Sequence, residues 1–307
     1  MSIAQNIKER RLQLKMSQQL LADKLGYTSR STIAKIESGE NTPPNSKIAD
    51  FARALRTTED YILTGFEFSV SPEISRNSAT KNIAVILAGG TSTRNLQNIP
   101  NQFINVLGKP VIIYVLQTYQ RHPAIDDIYV VCLDGWDEIV ASYATQYRIS
   151  KLKGIIPGGK TGVMSARNAI NKLKCNNGDI IIFQESTRPL ITEEIISKLL
   201  HSIDNSAIIC EPMDEYVQFL KDDIGNIDYI DRNKLYSIQS PEAYKYSFIK
   251  QAFKEAVEEK LLFGETSCAM MLYNLGYGLN FIEGNHNNLK IVRQEDITIL
   301  TALLKNQ

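Results

Sequence analysis

From residue 83 onward, short runs of β-branched and apolar residues recur, separated by helix-length stretches: Ile83–Leu87, Ile128–Cys132, Ile180–Phe183 and Ala207–Cys210. A strand covered on both faces reads as a continuous apolar run. Strands spaced by helical patterns pair in parallel through helical crossovers. This alternation predicts an α/β domain built on a Rossmann-like, mixed but mostly parallel sheet. Residues 1–66 lack the pattern and read as short amphipathic helices, a small all-α domain. Between the two lies Ser69-Val-Ser-Pro-Glu-Ile-Ser-Arg-Asn-Ser-Ala-Thr-Lys81, polar and Ser-rich, which predicts a linker. The expected boundaries are 1–66, 67–81 and 82–307.

Composition excludes several classes. The 307 residues are 43% hydrophobic and 22% charged with zero net charge, as expected for a globular chain of two ordinary domains. Zero net charge argues against a generally basic nucleic-acid binder while leaving room for a local basic face. No apolar run approaches the roughly 20 residues of a membrane span, and the N-terminus has no signal-peptide character, so a cytoplasmic protein without a membrane partner is expected. The cysteines Cys132, Cys175, Cys210 and Cys268 never form a CxxC pair, and only three histidines accompany them. Reduced thiols are expected rather than a structural zinc site.

In the first domain, apolar residues at 3, 7, 12 and 14 suit a helix over Ile3–Leu14. Ser17 is placed to cap a second helix, Gln18–Leu25, and Gly26 to end it. Tyr27-Thr-Ser leads into a third, Arg30–Glu37, and further helices are expected over Ile48–Leu55 and Thr58–Leu63. Two helices joined by a short glycine turn make a helix-turn-helix. The run Ser17-Gln-Gln-Leu-Leu-Ala-Asp-Lys-Leu-Gly26 followed by Ser31-Thr-Ile-Ala-Lys-Ile-Glu-Ser-Gly39 resembles the phage-repressor/Cro type of DNA-binding domain over residues 3–64. That resemblance implies that the third helix enters the major groove of double-stranded DNA. Ser29, Arg30, Ser31, Thr32 and Lys35 would face bases or phosphates, and Gln18 the DNA backbone. Ten basic against eight acidic residues over 1–70 predict modest affinity for a monomer.

In the second domain, Gly89-Gly90 follows a buried strand, Arg94 lies one turn on, and Lys109-Pro110 follows a second loop. A strand feeding a glycine turn and a helix start gathers backbone N–H groups and favours anions. Lys109 reads as a surface lysine before it reads as a ligand, and Gly158-Gly159 as a plain turn or a nucleotide loop. The order LAGGxxxR, PxQF, GKPVIxYxL, HPxIDxIYVVC, GG(x)5S, RP, DRNxLYxxQxP, NLKIxRxED is similar to the cytidylyltransferases that make CDP-methylerythritol and CDP-ribitol, over about residues 82–305.

That resemblance implies CTP and Mg²⁺. A polyol-phosphate oxygen attacks the α-phosphorus in line and pyrophosphate leaves, a reaction that needs positioning and positive charge more than a base. By position, Ala88, Gly89, Gly90 and Arg94 would wrap the triphosphate, and Gly158, Gly159 and Ser165 would hold cytosine and ribose. Arg188, Arg232 and Gln239 would meet the acceptor phosphate, and Lys290 would neutralise phosphate charge. Glu185 stands where the family has an aspartate facing nucleotide and metal. A homodimer would form through an arm around 211–232, whose alternating residues and Asp223-Ile-Gly-Asn226 turn read as a hairpin.

The chain departs from the family at several points. Asn101 replaces a lysine that lies on the triphosphate, and Ser92 a glycine. Gly162 replaces an arginine, and Asn287 an aspartate. Loss of one transition-state cation costs about a hundredfold or more in rate. The expectation is therefore a DNA-binding regulator whose transferase-like domain binds CTP, a CDP-alcohol or a polyol phosphate with weak or lost catalysis. Its rivals are an active cytidylyltransferase that regulates its own pathway and a purely structural dimeriser.

Overall fold

The computed structural model describes residues 3–14, 16–55, 57, 62, 80–91, 99–213, 218–221, 225–231, 234–262 and 267–306. The chain divides into two compact units, Met1–Asn77 and Ser78–Gln307. The expected linker, apart from its last two residues, lies outside the described residues.

The first unit contains α1 (Ile3–Gln13), α2 (Gln18–Leu25), α3 (Arg30–Glu37) and α4 (Ile48–Ala54). The Ser17 hydroxyl accepts from the Leu20 N–H and caps α2, and Gly26 closes it at φ 73° with its N–H turned back to Ala22 and Asp23. Ser29 starts α3 in the same way, accepting from Ser31. The core gathers Ile7, Leu21, Leu25, Ile33, Ile36, Phe51, Leu55 and Ile62. Of the helix expected over Thr58–Leu63, Ile62 alone is described. Among the described residues the buried ion pair of this unit is Arg11–Glu37: the guanidinium donates to both oxygens of Glu37, at 2.5 and 2.8 Å, and to the Met16 carbonyl at 2.7 Å.

The second unit is built on seven strands: β1 (Asn82–Ala88), β4 (Asp127–Cys132), β5 (Leu152–Pro157), β6 (Ile180–Glu185), β7 (Ser206–Pro212), β10 (Tyr236–Lys245) and β11 (Phe281–Glu283). Their order is β11-β7-β10-β6-β1-β4-β5. All neighbours pair in parallel except β10, which runs antiparallel to β6 and β7. Two short pairs complete the strands: β2 (Asn105–Val106) with β3 (Lys109–Pro110), and β8 (Gln218–Lys221) with β9 (Ile227–Ile230). The last pair is antiparallel and falls where the arm was expected; residues 222–224 of its connection lie outside the described residues.

Alternation along β1 sends Ala84, Ile86 and Ala88 to one face, and Ile83 and Val85 to the other. On the first face pack α5 (Val111–Arg121), α6 (Asp137–Gln146) and α8 (Glu193–His201). On the second pack α7 (Gly162–Lys172), α9 (Tyr246–Glu258) and α10 (Cys268–Asn274). The final helix, α11 (Gln294–Lys305), closes a smaller cluster with Ile104, Val106, Val111 and Ile291. The fold is thus a three-layer α/β arrangement with both sheet faces covered, which is why strands β1, β4, β6 and β7 read as apolar runs.

Candidate functional site

Residues following the C-terminal ends of β1, β4, β5 and β6 line a cavity of about 1060 Å³. Ligands of open α/β sheets bind at this edge because the connecting loops part there. Gly89, Gly90, Asn101, Gly158, Gly159, Ser165, Glu185, Arg188, Gln239 and Lys290 all reach it. Arg94 and Arg232 lie outside the described residues, as does Ser92.

The two glycine loops touch. A Cβ on Gly89 would stand 3.3 Å from Ser165 Oγ and 3.4 Å from the Gly158 Cα. One on Gly158 would stand 3.0 Å from the Cys132 carbonyl oxygen. Gly159 is tighter still, with Met164 Cβ at 2.6 Å from such an atom. Backbone can approach backbone here only because no side chain intervenes. Thr161 caps α7 by accepting from the Met164 N–H. The buried Ser165 hydroxyl accepts from the Gly159 N–H at 2.9 Å, so it shapes the loop from behind. Gln102 does the same for the other loop: its amide donates to the carbonyls of Ala88 and Gly90, both at 2.9 Å.

Ala88 departs from expectation. Its side chain is buried in the core, and its carbonyl accepts from Gln102 and from the Leu133 N–H at 3.2 Å. It is not on the cavity wall, because its place in the pleat sends Cβ into the sheet face below.

The same cavity is lined by a charged cluster. The Glu185 carboxylate accepts from Arg188 Nε at 2.7 Å through one oxygen and from Lys290 Nζ through the other. Burial pushes the Glu185 carboxyl up, but Lys290 and Arg188 outweigh it and hold the group below the usual carboxylate range. Arg188 also donates to the Asn288 carbonyl at 2.7 Å. Gln239 is only 6% exposed, and its amide is engaged at both ends. It donates to Glu211 at 2.8 Å and accepts from Asn288 at 3.0 Å. It therefore braces the wall more than it offers a donor to an incoming phosphate.

Asn101 also differs from a triphosphate ligand. Its side-chain N–H₂ donates to the carbonyls of Ile291 and Val292, both at 3.2 Å, with the residue 2% exposed. Lys109 is turned to Gln117 at 2.7 Å and over the Tyr114 ring, away from the cavity, whereas Lys160 lines it. Gln102, Asn288 and Glu242 were not singled out from sequence as site residues, although Gln102 lies in Pro100-Asn-Gln and Asn288 opens Asn288-Leu-Lys-Ile291; Lys160, with Lys109, was a candidate for replacing lost positive charge.

Glu185 and the neighbouring cavity wall suit Mg²⁺ in one respect: this hard cation needs one or two carboxylates when substrate phosphates supply the remaining oxygens. Among the described residues, no group of three or more His, Cys, Asp and Glu gathers as an all-protein metal site.

In the helical unit, Arg30, Ser31 and Lys35 are exposed on α3 and Thr32 is half-buried. Ser29 spends its oxygen on the cap and lies 2.9 Å from the Ser31 hydroxyl. Gln18 donates to Glu37 at 2.9 Å, which ties its amide nitrogen to the buried ion pair and leaves its oxygen for other donors.

With this geometry, residues 82–306 match the 2-C-methyl-D-erythritol 4-phosphate cytidylyltransferase family. The chain belongs to that family. Residues 7–62 match the helix-turn-helix family. The cytidylyltransferase portion is 33% identical over 229 residues to ribitol-5-phosphate cytidylyltransferase of Lacticaseibacillus paracasei, covering 73% of this chain and 98% of that protein. The Clostridium novyi 2-C-methyl-D-erythritol 4-phosphate cytidylyltransferase is 29% identical, with 74% and 98% covered. The crystal structure of 4-diphosphocytidyl-2C-methyl-D-erythritol synthase from Anaerococcus prevotii superposes with a TM-score of 0.64 at 21% identity, covering 74% of this chain and 99% of that one, a likeness of fold. CTP is a substrate of cytidylyltransferases of this type. No helix among the described residues is long and apolar enough to cross a membrane.

Proposed function

We propose that the α/β unit is a working cytidylyltransferase that transfers CMP from CTP to a polyol phosphate, ribitol 5-phosphate foremost, and that the helical unit binds double-stranded DNA. The observation that carries this reading is the Lys290–Glu185–Arg188 cluster lining one cavity with the paired glycine loops. Gly89, Gly90, Gly158 and Gly159 offer close backbone approach to the nucleotide. Lys290 and Arg188 supply positive charge where phosphate charge accumulates, and Arg94 and Arg232 are assigned to the triphosphate and the acceptor phosphate. An acceptor phosphate oxygen bonds to the α-phosphorus of CTP as the bond to the β-phosphate oxygen breaks, releasing pyrophosphate. Positioning and charge are what the protein provides. Glu185 would hold Mg²⁺ together with the phosphates, which supplies further charge neutralisation. A phosphate entering the cluster competes with Glu185 for Lys290, so ligand binding and rearrangement of this ion pair are coupled. The β8–β9 hairpin, with Ile227 and Tyr229 more than 60% exposed, is the proposed dimer arm.

A second reading, a ligand sensor with little turnover, is favoured by one observation: Asn101 places an amide, not a cation, beside the cavity. Pyrophosphate release from CTP, Mg²⁺ and ribitol 5-phosphate separates the two. Steady turnover that Lys290→Ala lowers about a hundredfold supports the enzyme. CTP binding without pyrophosphate supports the sensor. For the helical unit, selection of bound fragments from random duplex DNA should yield one sequence whose affinity Arg30→Ala weakens about tenfold or more. Unchanged affinity removes α3 as the reader.

A further inference from the structure

We infer that Asn101 is a positioning residue: its amide clamps the backbone just after Lys290 and so aims that lysine into the cavity. Lys290 stands on a segment without regular secondary structure, between β11 and α11. Such a segment holds a side chain in place only if its own backbone polar groups are fixed from outside. On the near side, Asn288 is 1% exposed, and its amide donates to Gln239 Oε1 at 3.0 Å and to the Ser240 carbonyl at 2.8 Å. In the middle, the Ile291 N–H donates to the Thr187 carbonyl at 2.8 Å. On the far side, the carbonyls of Ile291 and Val292 both point at Asn101 Nδ2, 3.2 Å from each.

The segment is therefore anchored on either side of Lys290, by its own Asn288 amide reaching out to β10 and by the Asn101 amide reaching in to its backbone. One side chain with two donors satisfies two successive carbonyls, which an ammonium at the end of a flexible stem would do with far less orientation. Asn101 itself is held in a single 3₁₀ turn, Asn101–Phe103, with Phe103 stacked on Trp136 at 4.2 Å and Gln102 fastening the glycine loop. Neighbouring residues of one turn thus brace both walls of the cavity, the glycine loop through Gln102 and the Lys290 segment through Asn101. The residue that looks like a missing cation acts through another cation.

The test reads Lys290 directly. Brief labelling of the full chain with an amine-reactive ester is followed by mass spectrometry, with exposed Lys160 in the same cavity as internal standard. Asn101→Ala is expected to raise the Lys290 labelling rate several-fold relative to Lys160. Asn101→Ser, which keeps one donor and serves if the alanine variant folds poorly, should fall between. An unchanged ratio in either folded variant overturns the proposal. A second arm rests on the proposed function and measures CTP affinity by calorimetry. Asn101→Ala is expected to weaken binding about tenfold in the wild-type background and not at all in Lys290→Ala, because groups acting through one another do not add. Losses that multiply overturn the proposal. A wild-type chain that binds no CTP ends the proposed function and leaves the labelling arm to decide this one.

Discussion

Burial pushes the Glu242 carboxyl up to about 7. The Tyr244 hydroxyl, donating at 2.8 Å, opposes this, the Glu185 charge adds to it, and the backbone N–H groups of Ala269 and Cys268 oppose it again. A carboxyl raised in the folded state binds its proton there while the unfolded chain, near its ordinary 4.5, has lost it. Its contribution to stability is therefore full below about pH 4.5 and is lost as pH rises through about 7, on the order of 3 kcal/mol in all. Thermal melts between pH 5 and 8 should show the wild type losing stability relative to Glu242→Gln as pH rises; parallel curves would mean the carboxyl titrates normally. Gly159→Ala is a sharp steric change at the cavity. Its new methyl would meet Met164 Cβ at 2.6 Å and the Ser165 nitrogen at 2.9 Å. About 1–3 kcal/mol of destabilisation is expected in a denaturant titration, together with weaker CTP binding. Neither residue's environment was legible from neighbours in the chain. Glu242 is buried by α10 and Asn101 is held by carbonyls 190 and 191 residues away, so only the folded sheet brings their partners to them.

Among the elements, the helices of the first unit announced themselves through their ends. Ser17, Gly26 and Ser29 do locally what their residue types favour, and α2 and α3 fall on the expected bounds. Four of the parallel strands, β1, β4, β6 and β7, were equally plain, because both faces of each demand apolar residues; the edge strands β5 and β11, less buried, were not read from the sequence. Nor was strand β10. Its run Tyr-Ser-Ile-Gln-Ser-Pro-Glu-Ala-Tyr-Lys carries a proline and a glutamate in mid-strand, which argues against a central position. The structure accommodates them through a register shift between Ile238 and Glu242. At this scale the Arg11–Glu37 pair makes the clearest test. Removing Arg11 leaves a carboxylate with 3% side-chain exposure and no guanidinium. Arg11→Met is expected to cost about 3–5 kcal/mol in the melting of residues 1–77, with turnover of the other unit unaffected.

At the scale of the molecule, the helical core and the two sheet-face clusters share no residue, so each unit carries its own hydrophobic core. Residues 78–307 expressed alone should keep the pyrophosphate-releasing rate of the full chain within about twofold; a larger loss would tie turnover to the helical unit. The paired glycine loops have a consequence for how such a chain drifts over generations. Gly89 and Gly158 lie so close that a methyl on either presses on the other's backbone, and Gly158 is hemmed by Cys132 as well. Purifying selection for mere foldedness would keep both, whether or not any nucleotide is ever consumed. Their persistence in a lineage is therefore a record of packing. The history of the chemistry is written in Lys290 and Lys160, whose exposed side chains the fold could surrender at smaller cost.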